Sequence, residues 1–202
     1  MRQLFQADHG LLEGSPGLIP ANRFIVQSRH RDEWLAARRE GVTATEVASA
    51  ATESGFLQAQ LARVTTDEVF PNDYMRFGTD AEHDIMRHAR DFGILENDWL
   101  IAAINPHHLA TPDGLSPDHQ LIAEAKTTGA DWVTPPIKYR RQIQFQLYVT
   151  GAERCLLLWN LRVPDDMGGF YLGWIEPKTL WVERDPKTIT ELTAIADRLL
   201  ED

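Results

Sequence analysis

Cysteine is nearly missing from this sequence. Of 202 residues only Cys155 is a thiol, inside the apolar run "CLLLWNL". One cysteine excludes an intramolecular disulfide, a multi-cysteine zinc site and an iron–sulfur cluster, and it fits a reducing, cytoplasmic setting. Long hydrophobic runs are missing too. No stretch reaches the roughly 18 apolar residues of a membrane span, and "MRQLFQADHGLLEGSPG" has early acidic residues and no continuous apolar core, so neither a secretory leader nor membrane insertion is expected. Basic charge is in deficit: 20 Lys and Arg face 30 Asp and Glu, a formal charge of −10. A surface coated in phosphate-binding residues is excluded, and any nucleic-acid contact must be local.

What is present suffices for one domain. With 43% hydrophobic residues, a chain of this length buries roughly 70% of its unfolded surface. There is no internal repeat. Residues 1–24, with Gly10, Gly14, Pro16, Gly17 and Pro20, read as an extended lead-in to a single domain over 25–202, the ordered core starting near Arg23. "RDEWLAARRE" (31–40) predicts a helix ending at Gly41, and Thr43 with Glu46 forms a capping-box pattern that opens a second short helix. Residues 73–93 carry Met75, Ala81, Ile85, Ala89 and Phe92 at helical intervals, with Gly78 as a point of interruption and Gly93 as the stop. The period then shortens. "WLIAAIN", "LATPDGL" and "QLIAEAKT", punctuated by "PHH" and "SPDH", predict a β-meander over about 99–127. A helix over 137–151, strands at "RCLLLWNL" and "FYLGWIE", and a terminal helix with Pro186 in its first turn complete an α/β chain with a mixed sheet flanked by helices.

The chemistry concentrates in "ATPDGLSPDHQLIAEAKTT" (110–128). Side chains alternate along a strand, so Glu124 and Lys126 share one face while Ala123 and Ala125 share the other. Asp113 ends the preceding strand, and a short connection sets the two strands roughly 5 Å apart. Paired carboxylates repel unless a cation lies between them, and hard oxygen ligands without thiolates favour Mg2+ or Mn2+. Lys126 beside such an ion can orient and help deprotonate a water, or neutralise charge on a phosphate. Taken singly, Pro-Asp-Gly is an ordinary turn and Glu-x-Lys an ordinary solvated strand. Their joint occurrence, ahead of a glutamine-rich helix, favours the metal site. His83 and His88 do not share a helical face, and His107 and His108 fall in an exposed turn. The tryptophans at 34, 132, 159, 174 and 181 read as core packing, with base stacking the alternative for Trp132.

At these residues the chain resembles the YqaJ-type viral recombinase group, the phage lambda exonuclease family, of the PD-(D/E)XK nuclease superfamily. "WLAARREGVTATEVA", "FGTDAEHD", "TPDGL" with "EAK", and "QIQFQLYVTG" match in order over about residues 30 to 162. The resemblance implies that Asp113, Glu124 and the Ala125 carbonyl bind metal, that Glu82 adds a carboxylate, and that Lys126 serves the water nucleophile. It also implies that Gln142 and Gln144 hydrogen-bond the phosphate or a metal-bound water, while Gln144 and Tyr148 form a Gln-x-x-x-Tyr pattern. An arginine, Arg38 or Arg39, together with Thr45 and Thr111, is implied to hold a 5′-phosphate, with Tyr148 in the same DNA-binding set. That reading fits the general preference of phosphate for an arginine fork, hydroxyls and helix-start N–H groups. Threonine replaces the serine common in the family, and the choice between the two arginines stays open. The implied activity is 5′-to-3′ exonuclease action on double-stranded DNA ends in a phage or prophage recombination system. A ring-shaped homotrimer and a single-strand annealing protein are implied as partners. Lys138, Arg140 and Arg141 supply a local basic stripe for the DNA backbone. Competing readings are a structure-specific or restriction-type endonuclease, and a catalytically inactive module that binds DNA ends or protein.

Overall fold

The computed structural model describes residues 17–65 and 72–201. The expected lead-in lies outside the described residues as far as residue 16. From Gly17 onward the chain is not a loose lead-in. Ile19 is buried in the core and its N–H donates to His119 Nδ1 at 2.8 Å. A 3-10 turn, Ala21–Arg23, then leads into β1, Phe24–Gln27.

Local chemistry accounts for most helix boundaries. Helix α1, Arg31–Arg39, has Asp32 and Glu33 in its first turn and Arg38 and Arg39 in its last, matching the helix dipole. The two-residue strand β2, Val42–Thr43, runs into α2, Ala44–Ala50, where Thr43 and Glu46 close the expected capping box. Gly41 precedes β2 because a Cβ there would stand 2.3 Å from the His107 carbonyl oxygen, which accepts the Val42 N–H at 2.7 Å. Helix α3, Glu53–Val64, is capped by Thr52 and has no counterpart in the pattern reading. Helix α4, Asp73–Met86, is capped by Asn72 and runs unbroken through Gly78. The chain tightens into a 3-10 turn only at Arg87–Phe92, closed by left-handed Gly93.

The expected meander is divided between two sheets. Strands β3 (Leu95–Glu96), β4 (Trp99–Ala102), β5 (His108–Ala110), β6 (Gly114–Leu115) and β7 (Leu121–Thr128) follow in sequence. β4 and β5 belong to a four-stranded sheet of order β1-β4-β5-β2, whereas β3, β6 and β7 belong to a larger one. The chain changes sheet at Thr111-Pro112-Asp113. Pro112 offers no N–H to a ladder, and Asn97 pins the crossing by donating its Nδ2 to the Pro112 carbonyl at 2.8 Å and its N–H to the Asp113 carbonyl at 2.9 Å.

Helix α5 (Ile137–Thr150) joins β7 to β8 (Arg154–Pro164), which pair in parallel. β9 (Phe170–Leu172) is shorter than the expected "FYLGWIE" strand, because Trp174 turns back to exchange hydrogen bonds with the Asn160 side chain. The edge strand β10 (Lys178–Glu183) was not expected, and α6 (Pro186–Glu201) follows it. The six-stranded sheet has the path β10-β8-β7-β6-β3, with β9 on β8. One face packs Ile122, Cys155 and Leu157 against Ile143 and Leu147 of α5. The other packs Ala123, Ala125, Leu156 and Leu158 against Ile85 and Met86 of α4. Among the described residues no helix is long and apolar enough to cross a membrane.

Candidate active site

The site forms where β6 stops. This strand pairs with β7 only at Gly114↔Ala123 and Leu115↔Ile122, so beyond Ala123 that edge of β7 has no neighbouring strand among the described residues. Asp113 fills the place, its Oδ2 accepting the Ala125 N–H at 2.7 Å. Asp113 therefore stands in the bend before β6 and does not end a strand. Gly114 allows the bend to tuck under α4, since a Cβ there would stand 2.6 Å from Met86 Cε and 2.8 Å from Ile94 Cγ2.

Glu124 and Lys126 share the α5 face of β7, as alternation requires, and the Lys126 ammonium donates to Glu124 Oε1. Glu124 is only 1% exposed, yet donors surround its carboxylate: Gln142 Nε2 gives to Oε1 at 2.5 Å and Gln146 Nε2 to Oε2 at 2.6 Å. Two glutamines one helical turn apart thus grip a buried charge, which explains how it is tolerated among carboxylates. Glu82 belongs to the same electrostatic cluster. Burial, and then the charge of Glu124, raise its pKa, with Lys126 opposing. Asp113 is pushed well above the ordinary aspartate value by burial, then by Glu124 and Glu82, against the pull of Lys126 and the Ala125 N–H. For Lys126, burial favours proton loss, but Glu124 and Asp113 outweigh it and hold the ammonium charged above the usual lysine range.

This donor set fits a hard divalent ion bound in an open site. Among the described residues no group of three or more carboxylate, imidazole or thiolate side chains is placed to hold a metal ion by itself. Magnesium needs none, because it is held by one or two carboxylates, backbone or substrate oxygens, and water. Three acids against one ammonium leave a negative excess that such an ion would neutralise.

The remaining expected residues divide. Strands β2 and β5 are parallel, with Thr43 opposite Leu109, so the start of α2 and the Thr111-Asp113 crossing emerge at the same end of their sheet. Thr45 is exposed there, and the buried Thr111 hydroxyl has no partner among the described residues. Arg38 sits over Trp34, its guanidinium carbon 4.3 Å from the ring centroid, and feels the charge of Glu46 in the first turn of α2; Arg39 is exposed. Two residues fall elsewhere. Gln144 is turned away from the carboxylates: its Nε2 donates to the Glu183 carbonyl at 2.7 Å and its Oε1 accepts from Asp185 N–H at 2.8 Å. Tyr148 is likewise distant, its hydroxyl 3.1 Å from His108 Nδ1. The physical reason is helical phase. Gln142 and Gln146 stack four apart, while Gln144 and Tyr148 point to another face of α5. Gln146 was missed as a site residue, although its spacing from Gln142 was visible. His108 is not exposed as expected but 1% accessible, bonded to Tyr148 and to Asp197 at 3.1 Å, because β5 begins there and turns the ring inward. Trp132 packs on Tyr139 and Trp159, with centroids 5.2 and 6.0 Å away.

The YqaJ-like viral recombinase domain matches residues 33–153, more than half the chain and every candidate residue above. The chain belongs to the YqaJ-like viral recombinase family. Among solved structures it is similar to the alkaline exonuclease LHK-Exo from Laribacter hongkongensis, at 26% identity and a TM-score of 0.65, and to LHK-Exo in complex with dAMP, at 25% and 0.66. Each match covers 84% of this chain and 91% of the other. A phage-related exonuclease from Haemophilus somnus 129PT, 12% identical over 89% of both chains with a TM-score of 0.54, shares the fold. No curated protein sequence matches. As a YqaJ-family member the protein has the PD-(D/E)XK fold and is a nuclease of the exonuclease kind.

Proposed function

We propose that this YqaJ-family nuclease is a Mg2+-dependent 5′-to-3′ exonuclease acting on double-stranded DNA ends, with Mn2+ as a substitute. The observation that carries the reading is Asp113 on the Ala125 N–H of β7 and the clamped Glu124 beside a charged Lys126 where β6 ends, with Glu82 in the same electrostatic cluster. Asp113, Glu124, the Ala125 carbonyl and Glu82 would hold the ion, which supplies Lewis-acid chemistry and charge neutralisation at a phosphate. Gln142 and Gln146 keep the Glu124 oxygens oriented. Lys126, holding its proton, donates to a water or phosphate oxygen and stabilises developing negative charge.

At the neighbouring sheet end, Arg38, Thr45 and Thr111 would bind a 5′-phosphate. Arg38 is preferred over Arg39 because its charge is felt at Glu46, in the first turn of α2, whereas no such link is seen for Arg39 among the described residues. Arg38→Ala is expected to reduce the preference for 5′-phosphorylated over 5′-hydroxyl ends roughly tenfold, the scale of a charged hydrogen bond, with Arg39→Ala leaving it unchanged. The opposite pattern in end-preference assays transfers the role to Arg39.

A ring-shaped homotrimer in the cytoplasm, serving a phage-type recombination system with a single-strand annealing protein, is consistent with the acidic chain if basic residues such as Lys138, Arg140 and Arg141 line the DNA path. The decisive assay compares linear, nicked and covalently closed plasmid with and without chelator. Linear DNA is expected to be degraded only with metal, and closed circles to survive. Cleavage of closed circles identifies an endonuclease, and binding without hydrolysis an inactive end-binding module.

A further inference from the structure

We infer that Arg162, seated on the rings of Tyr74 and Phe170, is a second phosphate contact that holds a DNA strand along α4, beyond the catalytic carboxylates. The substrate class rests on the nuclease reading; the position rests on geometry. The guanidinium carbon lies 4.4 Å from the Tyr74 centroid and 5.5 Å from that of Phe170. These rings support each other, Tyr74 and Phe77 standing 5.2 and 5.7 Å from Phe170.

Stacking occupies the face of a guanidinium and leaves its edge N–H groups available for a phosphate fork. Among the described residues Arg162 forms no ion pair, unlike Arg63, Arg76, Arg87 and Arg90. The nearest acid in sequence, Asp165, is otherwise engaged, accepting the Met167 and Gly169 N–H groups at 2.8 and 2.7 Å.

The seat shares a stripe of α4 with Glu82. On α4, Tyr74, Gly78 and Glu82 follow at four-residue spacing and form one stripe. Glu82 feels the charges of Glu124 and Lys126, and a Cβ on Gly78 would stand 3.5 Å from Thr127 Oγ1. On β8, Leu161 pairs with Thr128, so Arg162 stands one position beyond, two residues past the level of Lys126's neighbour Thr127. Eight helical residues rise about 12 Å, about three to four nucleotide steps at the B-form rise.

The test measures equilibrium binding of blunt duplex by the full chain in chelator, across a salt titration, for wild type and for Arg162→Ala, Arg162→Gln and Arg162→Lys. Melting curves confirm folding, and the glutamine variant serves if the alanine variant does not fold. Loss of the charge is expected to weaken binding roughly tenfold and to flatten the slope of log K against log salt by about 0.9, one phosphate's share; lysine should restore the slope. A neutral methylphosphonate is then moved stepwise along each strand from the end. One position, or two adjacent ones, should weaken wild type yet leave Arg162→Ala unaffected. Failure of wild type to bind, an unchanged slope, or additive losses at every position overturns the proposal. Hydrolysis with Mg2+ is scored separately: binding that depends on Arg162 without any cutting leaves this contact standing and overturns the nuclease reading instead.

Discussion

Asp113→Asn should reduce hydrolysis of linear duplex by at least about a hundredfold, the scale of losing one charge-stabilising group in an active site, while the metal-free protein melts no lower than wild type. The two effects separate for a physical reason. In Asp113 burial, then Glu124 and Glu82, oppose the charged form and push its pKa well up. An amide removes that repulsion. It also retains an oxygen for the Ala125 N–H that Asp113 Oδ2 now accepts at 2.7 Å. What it lacks is the charge to bind a hard cation. Single-turnover rates with saturating metal, beside melting curves in chelator, check both halves. Near-native turnover removes Asp113 from the metal shell. A large fall in melting temperature instead makes the residue structural, a tie for the edge of β7.

Lys126→Met should have the opposite character, eliminating activity and also destabilising the fold. The Glu124 and Lys126 side chains are 2% and 20% exposed, and breaking such a pair from one side strands the remaining charge, at about 3 kcal/mol or more. Gln142 and Gln146 soften this by keeping their two hydrogen bonds to Glu124. Adding Glu124→Gln to Lys126→Met removes the stranded charge and should recover most of the stability with none of the activity. Denaturant unfolding of the two single variants and the double variant measures the coupling. Losses that simply add exclude the pair as an electrostatic unit.

How much of this was legible in advance depends on the range of the interaction concerned. Strand alternation is a property of consecutive residues, so a common face for Glu124 and Lys126 could be read from "LIAEAKT" without the fold. The Thr43 and Glu46 cap and the glycine stops at 93 and 151 are local too, and each is present where expected. Helix α3 and strand β10 escaped because their apolar residues keep no clear period. α3 leaves Leu57, Leu61 and Val64 exposed, and β10, on the sheet edge, buries none of its side chains fully. Gln144 was preferred to Gln146 because a motif orders residues along the chain but says nothing of how the helix is rotated about its axis. His108 looked exposed because its neighbours, Asn105, Pro106 and His107, are turn residues, and nothing nearby in sequence announces Tyr148 or Asp197.

By itself, then, the order of residues determined the local geometry: which side chains of a strand or helix share a face, where helices begin and stop, and the resemblance of "TPDGL" and "EAK" to one family's pattern. Tertiary structure alone decided that the meander splits between two sheets at Pro112, that β6 ends after two residues, and that α4 and α5 approach from opposite faces. Those features depend on contacts between distant segments, whose packing energy is spread over many residues and leaves no short motif. It is the missing stretch of β6 that opens the gap Asp113 fills at the Ala125 N–H, next to Glu124 in the chain.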